Sequence, residues 1–125
     1  MFTIRRITDP HLAQRICGSF GINDKGAFAY AAFQNDDVLA TAAFLTEQGG
    51  CVTLCAADTG RRLDIPLIDG IARAAFSAQL KAGAKTARLG EGISNEVKLA
   101  LSKLHYVVGE DFDLESFFAK KNCCK

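Results

Sequence analysis

Apolar residues recur at helical spacing through Ile68, Ile71, Ala72, Ala75, Phe76 and Leu80, a stripe that must lie against a sheet or another helix. Asp69, Arg73, Ser77 and Lys81 step by four along the polar side of the same helix, with Asp69 and Arg73 in the favourable acid-before-base order. Gly70, Ala74 and Ala78 make a third face, small enough for another element to approach the backbone closely. The stretch from Arg61 to Gly83 therefore reads as a basic turn running into one long helix, with the rest of the chain organised around it.

Before that helix the pattern is mostly that of strands. Phe2, Ile4 and Ile7 with Thr3 and Thr8 predict a short opening strand, stopped by Asp9-Pro10. Asp9 is placed to cap a helix with Pro10 at its first position, and Leu12, Ala13, Ile16, Cys17 and Phe20 keep helical spacing until Gly18 and Gly21 weaken it. Gly21 to Gly26 reads as loop. Ala27 to Phe33 and Val38 to Thr46, joined by the turn signal Gln34-Asn35-Asp36-Asp37, predict an antiparallel hairpin buried on both faces or nearly so. After Glu47-Gln48-Gly49-Gly50, a third strand from Cys51 to Ala57 completes a meander, which Asp58-Thr59-Gly60 ends.

Beyond the long helix, Lys85 to Leu89 predicts a strand returning beside the third one, as a β-α-β crossover requires. Gly90-Glu91-Gly92-Ile93 turns the chain into a helix from Ser94 to Leu104, capped by Ser94 or Asn95, with Val97, Leu101 and Leu104 inward. The same Gly-Glu-Gly lacks the third glycine of a dinucleotide-binding fingerprint and reads as a tight turn. Tyr106-Val107-Val108 predicts a short strand. Asp113 is a cap for a last helix, Leu114 to Lys121, docked through Leu114, Phe117 and Phe118. The expected fold class is α+β, an α/β-type mixed sheet flanked by helices, in a single domain spanning 1–125 whose residues 119–125 form a flexible tail.

Composition narrows the function classes. A chain of 125 residues fits one domain with a real core, and 49% apolar with 23% charged residues argues against both disorder and a membrane protein. A formal net charge of +1 predicts no general attraction to nucleic acid or to an acidic membrane surface. Met1-Phe2-Thr3-Ile4-Arg5-Arg6 is charged too soon for a signal peptide, and no apolar run approaches the roughly 20 residues of a membrane helix, so the expected location is cytoplasmic. Five cysteines without regular spacing suit a reducing compartment. Cys51 and Cys55 lie about 13 Å apart by strand rise, too far to chelate one metal unaided, and Cys123-Cys124 resembles no zinc signature. No metal is expected.

Read as β-α-β-β-β-α-β-α-β, the chain resembles the GNAT superfamily of acyl-CoA-dependent N-acyltransferases, which share a V-splayed mixed sheet. The resemblance is carried by the hairpin Ala27 to Thr46, by the turn-helix-strand unit Asp58 to Lys85 with its ending Lys81-Ala82-Gly83-Ala84-Lys85, and by Lys103-Leu104-His105-Tyr106, which is similar to the family's Lys-Leu-Gly-Phe. It implies acetyl-CoA or another acyl-CoA as co-substrate, with the strand around Cys55-Ala56-Ala57 holding the pantetheine arm like an added strand. In the family a Gln/Arg-x-x-Gly-x-Gly/Ala loop at the start of the long helix presents backbone amides to the CoA pyrophosphate. Here that loop falls on Leu63-Asp64-Ile65-Pro66-Leu67-Ile68, and its signature positions do not match: Pro66 has no amide to give, Ile68 is bulky and Asp64 is negative. Arg61 and Arg62 are the side-chain substitutes for phosphate binding. The structural reading of the same residues makes Asp64 a helix cap, Pro66 a first-turn residue and the arginines solvated.

The family's catalytic tyrosine falls on Leu101, which does no proton chemistry, and Tyr106 matches an apolar core position with His105 where glycine is usual. The carboxylates left for catalysis are Glu91, just past a strand end, and Glu47 or Asp58, expected beside the acceptor cleft. Two functions stay open: an N-acyltransferase in which an amine, from a small molecule or a protein, attacks the thioester directly, and a GNAT-fold binding or interaction module without transfer activity. With one helix before the hairpin, part of the usual acceptor wall is short, which leaves room for a homodimer whose second subunit supplies it.

Overall fold

Each of the first three helices starts on a side chain that answers an otherwise unpaired backbone donor. Asp9 accepts from the His11 and Leu12 amides at 2.9 and 3.4 Å and begins α1 (Pro10–Ser19). Asp64 accepts from Leu67 at 3.0 Å and begins α2 (Ile65–Lys81), and Ser94 accepts from Val97 at 3.3 Å and begins α3 (Asn95–Ser102). The computed structural model describes residues 2–123, with the side chains of 120–123 outside that description, so Cys124 and Lys125 of the expected tail lie beyond it.

The strands β1 (Thr3–Arg6), β2 (Ala27–Gln34), β3 (Asp37–Glu47), β4 (Cys51–Asp58), β5 (Thr86–Leu89) and β6 (Phe112–Asp113) form one six-stranded sheet in sequence order. All neighbours run antiparallel except β4 and β5, which are parallel because α2 carries the chain across between them. The hairpin is buried on both faces, as its apolar run requires. Phe28, Tyr30, Ala32, Ala42 and Phe44 join the main core against Ile68, Ile71, Ala72, Ala75 and Phe76 of α2. Ala29, Ala31 and Ala43 face the other way and pack with Ile7, Cys17, Ile16 and Phe20 around α1. Removing a side chain such as Phe44 or Phe76 from water stabilises the fold by about 1.5–3 kcal/mol apiece before entropy is counted. The small face of α2 receives β1: a Cβ built on Gly70 would stand 3.0 Å from Ile4 Cδ1.

Two irregularities set the shape of the sheet around β4. In the β3–β4 ladder Phe44 pairs with Leu54 and Ala43 with Ala56, so Cys55 is an extra residue on β4, a bulge that leaves the ladder locally disrupted. On its other side β4 pairs with β5 only from Cys51↔Thr86 to Leu54↔Leu89; Cys55 to Asp58 continue past the end of β5. The sheet thus splays where its bulge lies.

The strand expected at Tyr106-Val107-Val108 is not one. His105 at φ 79° and Gly109 at φ 91° turn the chain on either side, and Tyr106 is pulled inward, its ring 4.8 Å from Phe117 and 6.1 Å from Phe112 by centroids. The last strand is instead β6, where Phe112 and Asp113 pair with Ala87 and Thr86. Asp113 then accepts from the Ser116 amide at 2.8 Å at the start of α4 (Leu114–Cys123), and Leu114 and Phe117 are buried as expected.

Candidate functional site

The splay leaves a cleft on either side of β4. The smaller, about 370 Å³, opens on the α2 side and is lined by Ala57 and Asp58, the following Thr59-Gly60-Arg61 turn, Leu63, Ile68 and the start of α3. The larger, about 790 Å³, opens on the α1 side across the ends of β3, β4 and β5. Its apolar wall is Phe20, Ile22 and Leu45; Glu47, Glu91 and Glu110 bring carboxylates, and Lys98 and Arg88 bring cations. Arg88 is already held by Asp111 at 2.6 Å. Gly92 lines both clefts.

The residues singled out from sequence divide between these places. Ala57, Asp58, Arg61 and Leu63 come together in the smaller cleft, and Cys55, Ala56, Glu91 and Glu47 in the larger. Asp58 Oδ1 accepts from the Gly60 amide at 2.8 Å, which shapes the turn that presents Arg61. The Arg62 side chain is exposed and its carbonyl accepts from Thr59 Oγ1 at 2.7 Å, so the arginine pair is split: Arg61 lines the cleft and Arg62 does not. Asp64 is the helix cap, Ile65 packs against the main core, and Leu67 is buried in it.

Two amides at the start of α2, those of Leu67 and Ile68, are satisfied from within. Pro66 has no amide, the Leu67 amide goes to the Asp64 carboxylate, and the Ile68 amide bonds the Asp64 carbonyl at 3.1 Å. An anion approaching this helix therefore meets the Arg61 guanidinium rather than a row of free backbone donors. Ala57 and Asp58 lie on the stretch of β4 that β5 does not pair, a strand edge open to an extended ligand.

Cys55 carries the clearest electrostatic signature of the site. Its thiol is pushed up to about 11, first by burial and then by the negative charges of Glu47 and Asp24, so it stays protonated at neutral pH. Thr53, mostly buried, points its hydroxyl at Glu47 Oε2 at 3.4 Å. Thr53, Arg88, Lys98 and Glu110 were not picked out by sequence reasoning. Strand alternation in β4 and β5 puts Thr53 and Arg88 on the face away from α2, but only tertiary packing brings Lys98 and Glu110 beside them. Among the described residues no group of three His, Cys, Asp or Glu side chains is placed to hold a metal ion, and no helix is long and apolar enough to cross a membrane.

No family model matches the chain, and no curated protein sequence does. Solved structures do. An IAA acetyltransferase from Bacillus cereus is 18% identical, with 82% of this chain and 74% of that one covered at a TM-score of 0.60. A GNAT family acetyltransferase from Elizabethkingia anophelis with acetyl-CoA bound is 15% identical over 83% of this chain and 74% of its own, also at 0.60. A Bacillus subtilis acetyltransferase in complex with CoA is 17% identical over 82% and 74%, at 0.58. Together with the splayed mixed sheet and the α2 crossover, these likenesses show that the chain has the GNAT acyl-CoA N-acyltransferase fold.

Proposed function

We propose that this chain is an N-acyltransferase that moves an acetyl or other short acyl group from acyl-CoA to an amine by direct attack. The observation that carries the reading is the pair of clefts on opposite faces of the sheet that come together where β4 and β5 part. The smaller cleft takes the CoA thioester: its arm lies along Ala57 and Asp58, and Arg61 faces the phosphates. The larger cleft takes the amine, with Glu91, Glu47 and Glu110 as the carboxylates that attract and desolvate it. The amine nitrogen bonds the thioester carbon, the carbon–sulfur bond breaks, and the amine's proton leaves to a carboxylate or water while the CoA thiolate is released. Proximity and a backbone amide that polarises the carbonyl supply most of the rate enhancement, so the reaction does not require a tyrosine where Leu101 is fully buried. The pyrophosphate loop of the fold is degenerate in this reading: the Arg61 side chain replaces backbone donors that Asp64 and Pro66 have taken out of use.

That replacement also favours a second reading, a GNAT-fold module that binds a ligand without transfer. A thermal-shift titration with acetyl-CoA tests both. Ligand at about 100 times its dissociation constant is expected to stabilise the fold by about 2.7 kcal/mol and raise the melting temperature. Absence of a shift at millimolar acetyl-CoA sinks the enzyme reading, whereas a shift without thiol release in the presence of an amine panel leaves the binding module.

A further inference from the structure

Thr53 puts a hydroxyl in a buried position, 8% exposed, in the lining of the larger cleft. It donates to Glu47 Oε2 at 3.4 Å, longer than a good hydroxyl bond, and among the described residues nothing donates to its oxygen. A buried hydroxyl with one long bond out and none in is an acceptor left open. Glu47 is in the same position: among the described residues its carboxylate makes no ion pair, and Arg88, on the same face of the sheet, is held by Asp111 at 2.6 Å. Lys98 belongs to α3, which follows the turn at Glu91 and not the strand end at Glu47. This end of the cleft therefore offers acceptors and negative charge without a donor to match, the counterpart of an ammonium group.

An ammonium held there is not the nitrogen that reacts. Thr53 stands four residues before Ala57, where the proposed function lays the acyl donor, and the bulge at Cys55 takes up one of them, so the distance along β4 is about 10 Å. One nitrogen does not serve both places. Between them the wall is apolar and half-buried: Leu45, paired with Thr53 across β3 and β4, with Phe20 and Ile22 from the end of α1 and the turn after it. Near the far level Glu91 brings a second carboxylate, beside Ala56 in the lining.

We infer that the larger cleft takes an aliphatic diamine, a molecule with a cationic nitrogen at each end of an apolar chain, whose distal ammonium is held by Glu47 and Thr53 while the other nitrogen lies by Glu91 and Ala56. The inference deepens the acyltransfer reading, on which it rests for the reaction but not for the binding. The negative charges of Glu47 and Asp24 that act on the Cys55 thiol act over the same stretch, and they favour a dication over a neutral or anionic acceptor. In the reaction the nitrogen by Glu91 gives up a proton to water and bonds the acyl carbon, the carbon–sulfur bond breaks and the CoA thiolate leaves. The distal ammonium keeps its protons throughout and fixes the position of the chain. Glu47 and Thr53 are thus specificity-determining residues for the end of the acceptor that does not react.

Calorimetric titration of the native chain near neutral pH with three ligands of one length tests this: hexamethylenediamine, aminohexanol and aminohexanoate, whose far ends are cationic, neutral and anionic. The diamine is expected to bind at least fivefold more tightly than the amino alcohol and the amino acid most weakly, with the spread shrinking as salt is raised. Trimethylenediamine, too short to span the two levels, is expected to bind no better than the amino alcohol. Glu47→Gln is expected to bring hexamethylenediamine down to the affinity of the amino alcohol, and Thr53→Val, which keeps the shape of the side chain, to weaken the diamine at least threefold. Should Thr53→Val fail to fold, the ligand order on the native chain and the exposed Glu47→Gln carry the test. Equal affinity for diamine and amino alcohol, no binding of any of the three, or a preference that survives Glu47→Gln overturns the inference and leaves the acyltransfer reading standing. A diamine that binds with this preference but releases no thiol from acetyl-CoA keeps the diamine site and overturns the acyltransfer reading.

Discussion

The Tyr106 hydroxyl donates to Asp69 Oδ1 at 2.7 Å, and the same oxygen accepts from Arg73 Nε at 2.8 Å. Helix α2 is thereby tied to the irregular segment between α3 and β6 by a polar bond inside an aromatic cluster. Burial, then the hydrogen bond to Asp69 and its negative charge, push the Tyr106 phenol up from its ordinary 10.0. Tyr106→Phe keeps the ring packing and removes the bond, and is expected to cost about 1–2 kcal/mol in urea denaturation at neutral pH. The raised pKa sets the sign of the pH effect. The folded state holds the phenolic proton more tightly than the unfolded chain, so the contribution is complete below pH 10 and is lost as pH rises above it. The variant is expected to show a flatter stability profile in that alkaline range; equal slopes would contradict the assignment.

Arg73 acts at the same junction from the α2 side. Its side chain donates to Asp69 and to the Leu104 carbonyl at 3.1 Å, and its guanidinium lies 4.6 Å from the Phe117 ring centroid and 5.6 Å from that of Tyr106. One group thus fastens α2 to the end of α3 and to α4. Arg73→Ala leaves the Asp69 carboxylate with the Tyr106 hydroxyl but without its cation in a site only partly open to water, and the expected loss is about 2–3 kcal/mol, below the range for a fully buried pair. Arg73→Lys recovers less than half of it, because an ammonium cannot serve carboxylate, carbonyl and two ring faces together. Chemical denaturation of the two variants beside the native chain checks the order.

His105 sits at φ 79°, a left-handed conformation that costs a side-chain-bearing residue on the order of 1–2 kcal/mol. It is exposed, so its imidazole repays little of that cost by packing. His105→Gly is expected to raise stability by somewhat less than the strain, about 0.5–1 kcal/mol, since glycine gains entropy in the unfolded chain. A melting temperature that falls instead would mean that the histidine side chain holds something in place.

How much of the fold the sequence made legible depends on which forces act locally. The caps Asp9, Asp64 and Ser94 and the α2 stripe were readable because they depend on neighbours within one turn. The parallel pairing of β4 with β5 was readable because a helix separates two apolar runs. Tyr106-Val107-Val108 misled because strand propensity was overridden by a tertiary bond to Asp69, distant in the chain, and by a left-handed His105 that no propensity scale foresees. The candidate site was legible in its residues and not in its partition. Nothing in the order of Cys55, Ala56, Ala57 and Glu91 says that they open to different faces; the bulge at Cys55 and the seat of Gly92 on β4 decide it.

The split of the arginine pair makes a ranking. Arg61 lines the smaller cleft and Arg62 does not, although both are exposed and adjacent. Under the proposed function Arg61→Ala is expected to weaken acetyl-CoA binding about tenfold or more, in line with loss of a charge-assisted hydrogen bond, and Arg62→Ala about threefold or less through screened charge alone. Calorimetric titration of both variants at low and high salt separates the two effects. Equal losses that vanish in salt would place the phosphates elsewhere.

Cys55 is open to a similar test, because its thiol titrates where few other groups of the site do. In the unfolded chain it ionises near its ordinary 9.0, and in the fold burial and the charges of Glu47 and Asp24 push it up to about 11. The folded state therefore binds the thiol proton more tightly. This contribution to stability is complete below pH 9 and disappears as pH rises through about 11. Alkylation of Cys55 in the native chain by a small neutral reagent is accordingly expected to be slow at neutral pH and to rise about tenfold per pH unit, levelling near 11 rather than near 9. Glu47→Gln removes one of the charges and is expected to shift the alkylation midpoint downward, by less than the full displacement, since burial is the larger cause. A midpoint unchanged by Glu47→Gln would mean that burial alone sets the thiol's acidity and that the Glu47 charge does not reach the Cys55 sulfur.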